Sequence, residues 1–285
     1  MCSTVVTPRT LAWTRFRRHR AAVAGAAALV LIAGGAVFAP LLTPYSPTLL
    51  DPDHAFASPS VHHPLGTDDL GRDELARVLY GGRVSLLVGL AAMLLGGAIG
   101  VVLGSLAGYL RGWVDTAVMR LVDLVLSFPA IFLLLILLNW TGGRAPVLMM
   151  VGYLGLFGWT GLARIVRAEY LSLREREFVD AARAGGAGVR RIVFRHILPN
   201  AMAPILVQAA FAVAGAMLAE AALDFLGFGL PPEIPTWGNL MTQAETYLTS
   251  NPVLVIAPGA VVTATVVAVF FIGDALRDAL DVRAH

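Results

Sequence analysis

VSLLVGLAAMLLGGAIGVVLGSL, residues 84–106, is a stretch of 23 residues without a charged side chain. An α-helix rises about 1.5 Å per residue, so about 20 apolar residues cross the roughly 30 Å of hydrocarbon in a bilayer. This stretch is therefore long enough to cross a membrane as one helix.

Five further stretches share this length and apolar character, and the whole chain is 57% hydrophobic and only 14% charged, unlike a soluble protein. The third stretch is the least regular, because Asp123 lies about one helical turn inside its start. We predict an all-α integral membrane protein with six transmembrane helices. The predicted spans are residues 21–39, 84–106, 118–138, 147–166, 201–223 and 253–272.

The basic residues predict the orientation, since short loops rich in Lys and Arg stay in the cytoplasm. All 21 basic residues are Arg. With the amino terminus inside, 17 of the 21 lie in cytoplasmic segments or at the inner ends of spans, and four lie outside: Arg72, Arg77, Arg83 and Arg144. We expect both termini and the polar loop between the fourth and fifth spans, residues 169–200, to be cytoplasmic. The net charge of +2 then reports topology and not nucleic-acid binding.

These spans divide the chain into a cytoplasmic arm (1–20), a first anchor (21–40), an external segment (41–83) and a core (84–272) that contains the polar loop and an external loop (224–252). A cytoplasmic tail (273–285) follows. The sequence RFRRHR before the first apolar run is also compatible with a cleaved secretory signal. A run of about 19 residues, with Pro40 directly after the small-residue site, favours an uncleaved anchor.

The polar loop contains two motifs, DAARAGG at residues 180–186 and HILPN at residues 196–200. The sequence predicts a helix over 170–184, a break at Gly185, Gly186 and Gly188, and a second helix over 189–197. Pro199 marks the predicted start of the fifth span. Such a pair of helices, with small alanines beside a turn, is typical of a surface that another protein contacts closely.

The loop resembles the cytoplasmic loop of ABC-importer permeases, in which EAAxxxG is followed by LP. HILPN, with its late Ile197, is similar to the dipeptide/oligopeptide/nickel branch. The stretches 63–89, 174–184, 219–232 and 273–281 extend the resemblance over nearly the whole chain, and the length and short amino-terminal arm look like the C-type permease subunit. The chain differs from the usual pattern of this family at two positions: Gly185, where a bulky residue is common, and Leu230, where Gln is common. The loop residues in register are Asp180, Ala181, Ala182, Gly186, Leu198 and Pro199.

The resemblance implies a type I ABC-importer permease fold in the bacterial cytoplasmic membrane. It also implies partners: a second permease subunit, one or two cytoplasmic ATPases that hold ATP and Mg, and an extracytoplasmic substrate-binding protein. This chain would be non-catalytic and bind no cofactor, and without Lys it cannot form the GxxxxGK[ST] phosphate loop. The residues that the resemblance assigns to ATPase coupling are Phe178, Asp180, Ala181, Ala182, Gly185, Gly186, Leu198 and Pro199.

Two features inside the spans suggest roles in packing and transport. Gly96, Gly100, Gly104 and Gly108 recur every four residues on one face of the second span, where small residues let helix backbones approach closely. They predict either a sliding contact in the pore or static packing. Glu220, about one turn before the outer end of the fifth span, is a candidate for the translocation path, since ionisable groups inside a membrane are costly and often functional.

The remaining observations leave three classes of protein open. A secondary transporter or channel would need charges or broken helices at the midplane, and an intramembrane enzyme would need His or Cys inside the spans. Neither is evident, so the ATP-driven importer is favoured. His54, His62 and His63 do not predict a metal site, and Cys2 alone forms no internal disulfide. The substrate stays open between a dipeptide, a longer peptide, a nickel chelate and a peptide-like cofactor.

Overall fold

A computed structural model describes residues 19–140, 142 and 146–280. Cys2, Arg144, the predicted arm up to residue 18 and the last five residues of the tail lie outside the described residues. The described part is helical, and apart from one isolated bridge, Thr67 with Asp73, it contains no strand pairing. The α-helices are α1 (Arg20–Val37), α2 (Ala39–Leu42), α3 (Glu74–Leu110), α4 (Gly112–Leu126), α5 (Ala130–Trp140), α6 (Val147–Leu173), α7 (Glu177–Ala184), α8 (Val189–Arg191), α9 (Leu198–Phe225), α10 (Trp237–Ala244) and α11 (Val253–Leu280).

Five helical stretches are long and apolar enough to cross a membrane by themselves, namely α1, α3, α6, α11 and the stretch Val189–Phe225 that contains α9. The predicted span over residues 118–138 is made of two helices, α4 and α5. α4 and α5 are bent by 79° at a short break. Pro129 lies in this break; it has no N–H to donate, and its ring disfavours a helical conformation at the preceding Phe128.

The glycine face of α3 packs in register against α6. Methyl groups placed on Gly96, Gly100, Gly104 and Gly108 would lie 2.9, 2.8, 2.6 and 2.7 Å from the carbonyl oxygens of Gly155, Trp159, Ala163 and Arg167, respectively. Each step of four residues along α3 is matched by a step of four along α6, so the two helices are parallel. Two successive parallel spans require the chain between them to cross back, and the bent pair α4–α5 is therefore the sixth crossing.

The other helices alternate in direction. Ser85 of α3 contacts Glu220 of α9, and Gly89 faces Val213, so α3 and α9 are antiparallel. Gly273 of α11 faces the ring of Phe211 in α9, while Val262 packs near Met217. α11 is thus antiparallel to α9.

The first helix completes the bundle beside the last one. A methyl group on Gly25 of α1 would lie 3.0 Å from the carbonyl oxygen of Ala268, and Leu29 and Ile32 pack near Val262 and Val266. α1 and α11 are therefore antiparallel, so the start of α1 and the end of α11 lie on the same side. We call this side, where α3 and α6 also end, the inner end of the bundle.

The beginning of α1 is closed by His19, whose Nδ1 accepts a hydrogen bond of 3.3 Å from the backbone N–H of Ala22. Ligand atoms of His19, Asp274 and Asp278 lie within 4.8 Å of one another. The Nδ1 of His19 is already engaged as the acceptor of the Ala22 N–H. The arrangement fits a helix cap beside two carboxylates better than a metal site.

The outer end is covered by the external loop, which is anchored by Trp237. This side chain is 1% exposed, its Nε1 donates 2.9 Å to the carbonyl oxygen of Val78, and its backbone N–H donates 3.2 Å to Ser85. Asp224 at the end of α9 accepts from the backbone N–H of Leu230 at 2.7 Å and from the hydroxyl of Thr236. The loop is thus fixed to α3 and α9 through buried hydrogen bonds.

Candidate coupling loop and transmembrane cavities

The first half of the polar loop is a short helix set apart from α6. α6 ends at Leu173, and Arg176 is extended before α7 begins at Glu177, so the predicted continuous helix over 170–184 is wrong. The turn lets Val179, the buried residue of α7, pack beside Tyr109 and Tyr170. A straight extension of α6 would have carried Val179 away from the bundle.

The predicted glycine break is present, and one glycine accounts for its geometry. Gly186 has a φ of +76°, a left-handed conformation that glycine adopts without steric cost. The backbone N–H of Ala187 bonds to the carbonyl of Ala182 at 3.0 Å, and that of Gly186 to the carbonyl of Arg183 at 2.9 Å. This pair of bonds is the Schellman motif, which ends a helix with a fixed change of direction.

The second half of the loop is continuous with the fifth span. α8 passes through a π-helical turn, Ile192–Ile197, directly into α9, which begins at Leu198 with Pro199 in its first turn, as predicted. Proline lacks an N–H, and its ring collides with the carbonyl four residues earlier in an ordinary helix. Widening the preceding turn relieves that collision, and the N–H of Leu198 bonds five residues back, to Val193.

A buried apolar cluster attaches the loop to the bundle. Its members come from α3, α6, α7, the π-helical turn and α9: Tyr109, Leu162, Val166, Tyr170, Val179, Ile192, Val193, Ile197, Ala201 and Ile205. Arg174 and Arg183 lie 5.7 and 5.8 Å from the ring centre of Tyr109, within the range of a cation–π contact. The Tyr109 side chain, followed by the charge of Asp180, raises the pKa of Arg183.

Most of the residues that the resemblance assigned to coupling are exposed, on the side of the loop that faces away from this cluster. Ala182 and Leu198 are half-buried against the cluster, whereas the others are exposed: Phe178, Asp180, Ala181, Gly185, Gly186 and Pro199. Asp180 pairs with Arg183 at 2.9 Å, as its helical spacing suggests. The loop thus offers an exposed surface on a helix whose opposite side is fixed to the bundle.

Two further ion pairs tie α4 to α6 near the inner end. Arg167 forms a two-pronged pair with Asp115, which residue spacing did not reveal, since 52 positions separate them. Asp123 bonds to Arg164 at 2.7 Å and not to Arg120, the partner suggested by local spacing. Both pairs join helices that are distant in sequence.

Two cavities open along the side of the bundle. The central cavity, about 330 Å³, is lined by α3, α5, α6 and α9, and the inner cavity, about 640 Å³, by the inner ends of α6, α9 and α11. Gln208 and Phe211 of α9 line both cavities. The two cavities are therefore neighbours along α9.

Glu220 lies away from both cavities. Its side chain is 1% exposed and accepts a hydrogen bond of 3.3 Å from the hydroxyl of Ser85, which in turn contacts the backbone of Trp237. Its neighbour Ala219 does line the central cavity. In this chain, Glu220 joins α9, α3 and the external loop.

Two of the three histidines of the external segment pair with carboxylates. His54 and His63 each place Nδ1 2.8 Å from a carboxylate oxygen, of Asp51 and Asp73 respectively. Within the part of the chain that the structure describes, the group of His19, Asp274 and Asp278 is the one whose ligand atoms converge.

The matches to known proteins agree with this architecture. The family described as binding-protein-dependent transport system inner membrane component matches residues 100–285. The chain belongs to this family. The N-terminal TM domain of oligopeptide transport permease C matches residues 7–59. The protein is accordingly a multi-pass permease subunit of the inner membrane, with the helical bundle expected of an ABC-importer permease.

Similar proteins cover almost the whole chain. A putative peptide permease protein of Brucella suis is 40% identical over 273 residues, which are 95% of this chain and 90% of that protein. A dipeptide transport system permease protein of Alkalihalophilus pseudofirmus is 38% identical over 281 residues, covering 98% and 91%. An oligopeptide transport system permease protein of Mycobacterium tuberculosis is 40% identical over 273 residues, covering 96% and 94%.

Proposed function

We propose that this permease forms half of the pore of an ATP-driven importer for peptides or peptide-like solutes, and that its polar loop receives the movement of a cytoplasmic ATPase. The observation that carries the proposal is that α7 and the start of α9 pack in one apolar cluster. An exposed helix with a fixed glycine cap packs on the same cluster that holds the first turns of a span lining both cavities.

The contacts suggest how a push on the loop reaches the membrane. Force on the exposed side of α7 meets Val179, which packs with Tyr170 of α6 and Ile192 of the π-helical turn. Close-packed interiors transmit displacement because they compress little. The π-helical turn is continuous with α9, so displacement of the loop tilts this span and changes the shape of the cavities.

The proposal includes the partners that the family resemblance implies. A second permease subunit supplies the other half of the pore, and one or two separate ATPase subunits hold ATP and Mg and carry out hydrolysis. An extracytoplasmic substrate-binding protein delivers the solute at the outer end, where Trp237 and Asp224 hold the external loop. This chain itself binds neither nucleotide nor nucleic acid, and the Arg-rich inner end faces the cytoplasm.

The test uses the assembled importer in proteoliposomes, reconstituted with a second permease subunit, the ATPases and the binding protein. Ala181→Glu places a charge on the exposed side of α7 without entering the buried cluster. We expect ATP-driven uptake of labelled peptides to be lost while the complex still assembles. Thr116→Glu, which adds the same charge at an exposed position of α4, should transport normally.

Two results would contradict the proposal. Unchanged uptake by the Ala181→Glu importer would remove the loop from coupling. Uptake that proceeds without ATP and follows an ion gradient would instead identify a secondary transporter, the alternative with the same number of spans.

A further inference from the structure

Gln208 is the single polar side chain among the residues that line the central cavity. The other lining side chains are aliphatic, aromatic or absent, with alanines and glycines predominating. Gln208 lies ten residues into the 28-residue helix α9, within the predicted membrane span. The carboxamide therefore lies in a cavity lining that contains no other strongly hydrogen-bonding side chain.

This carboxamide has no hydrogen-bond partner among the described residues. The side chain is half-buried, and Gly161 on α6 leaves space beside it, since a methyl group there would lie 3.7 Å from its Nε2. A half-buried amide without a protein partner is unfavourable in an apolar wall, so the group requires a hydrogen bond from water or a ligand in the cavity. A Leu or Met of similar size would have filled the same wall without that requirement.

The inner cavity beyond Gln208 carries charges of both signs. Glu169 and Arg277 line it, and neither lies within 4.0 Å of an opposite charge in the described part of the chain. Asn200 also lines it, and its Nδ2 donates 2.7 Å to the carbonyl of His196, which leaves its side-chain oxygen to accept. The volume of about 640 Å³ is in the range of sites for small ligands.

The junction between the two cavities is formed by the side chains that both cavities share. Phe211 packs against Phe270 with ring centres 5.4 Å apart and lies against Gly273, so its ring is held in place. Gln208 is one helical turn away on the same side of α9. A solute that moves between the cavities passes one fixed aromatic ring and one amide.

We propose that Gln208 is a solute-selecting residue of this permease, and that it hydrogen-bonds the main chain of a peptide passing from the apolar central cavity to the charged inner cavity. A carboxamide donates two hydrogen bonds and accepts at its oxygen, which complements a peptide bond. The free ammonium and carboxylate of the same peptide complement Glu169 and Arg277. The inference rests on the proposed function and assigns its substrate selection to a side chain.

The first test measures whether Gln208 faces the solute path. Cys2 is the single cysteine of the chain, so Cys2→Ser makes this subunit free of cysteine, and Gln208→Cys is added to it. Leu206→Cys is the matched control, because Leu206 is on the same helix, is 43% exposed and lines neither cavity. The assembled importer is treated with a charged methanethiosulfonate reagent, alone or with dialanine, trialanine or pentaalanine.

We expect the Gln208→Cys importer to react with the charged reagent and at least one of the three peptides to slow that reaction, while glucose does not. The Leu206→Cys importer should react slowly and show no protection. Absence of reaction at position 208, or equal reaction with and without all three peptides, would overturn the proposal. This readout does not depend on transport, so it is distinct from failure of ATP-driven uptake.

The second test compares Gln208→Leu with Gln208→Asn in uptake of the peptide that gave protection. Leu keeps the size and removes the amide, whereas Asn keeps the amide on a shorter side chain. We expect Leu to raise the half-saturating concentration about tenfold, equivalent to about 1.4 kcal/mol, and Asn to recover part of this loss. Equal half-saturation in the two variants would contradict hydrogen bonding by the amide and leave only a packing role.

Discussion

The hydroxyl of Tyr170 donates a hydrogen bond of 3.0 Å to the backbone carbonyl of Val193, in a buried position where α6 meets the π-helical turn. The same carbonyl accepts the N–H of Leu198, five residues ahead. The carbonyl oxygen of Val193 thus accepts one hydrogen bond within the π-helical turn before Pro199 and one from α6. Its hydrogen bonds connect the loop's local geometry to the packing of the bundle.

Tyr170→Phe removes this contact while keeping the ring. The carbonyl of Val193 keeps its bond from Leu198, so loss of the tyrosine hydrogen bond costs about 0.5–1.5 kcal/mol, and we expect the segment Ile192–Ile197 to open more often. Hydrogen exchange in nanodiscs should be faster over residues 189–200. Tyr153→Phe is the control, because Tyr153 packs against apolar side chains and its hydroxyl has no partner among the residues described. Equal exchange in the two variants would mean that the hydroxyl does not hold the turn.

Gly104→Ala tests the close packing of α3 on α6. The added methyl group would lie 2.6 Å from the carbonyl oxygen of Ala163 and 2.8 Å from the Cβ of Val166, so the helices must separate. Overpacking of this kind typically costs about 1–3 kcal/mol. We expect a lower melting temperature of the purified permease in detergent.

The same helix supplies the control for that variant. A methyl group on Gly97 would find no neighbour nearer than 3.8 Å, and Ala is a better helix former than Gly. Gly97→Ala should therefore leave the melting temperature unchanged or raise it. A similar decrease in both variants would show that glycine is needed for helix flexibility and not for the contact between helices.

Asp224→Asn tests the anchor of the external loop. One carboxylate oxygen accepts from Leu230 and the other from Thr236, and an amide nitrogen cannot accept either bond. We expect a cost of about 1–3 kcal/mol in local stability and faster hydrogen exchange over residues 226–240. Glu233→Gln, a change of the same kind at an exposed position of this loop, should have no effect. Unchanged exchange in Asp224→Asn would remove the carboxylate from the anchor.

The features that follow from local chemistry were predictable from the sequence. Hydropathy and length locate the membrane-crossing stretches, and the glycines after Ala184 predict the helix end, because the left-handed conformation of Gly186 favours glycine there. The spacing of Gly96 to Gly108 predicted a close helix contact, and the structure shows that α6 of the same chain is the partner.

The features that depend on distant parts of the chain were not predictable in the same way. The bend between α4 and α5 leaves the hydropathy continuous, and Pro129 was its only local signal. The pairing of Asp115 with Arg167 arises from the parallel packing of α3 and α6, which places α4 beside α6. Glu220 drew attention because it is charged, whereas Gln208, the amide of the same span, lines the cavity; only the three-dimensional packing distinguishes the two faces of α9.

Gly186→Ala tests whether the fixed cap of α7 is needed for coupling. At a φ of +76° an L-residue costs about 1–2 kcal/mol, so the cap bonds from Ala187 and Gly186 should open more often and α7 should move independently of the π-helical turn. We expect fewer solute molecules transported per ATP hydrolysed, together with faster hydrogen exchange at residues 184–188. Gly188→Ala is the matched control, because Gly188 has a φ of −69° and a methyl group there meets nothing within 4 Å. Hydrogen exchange could rise only in Gly186→Ala while both variants transport the same number of solute molecules per ATP. The cap would then stabilise α7 without being needed for coupling.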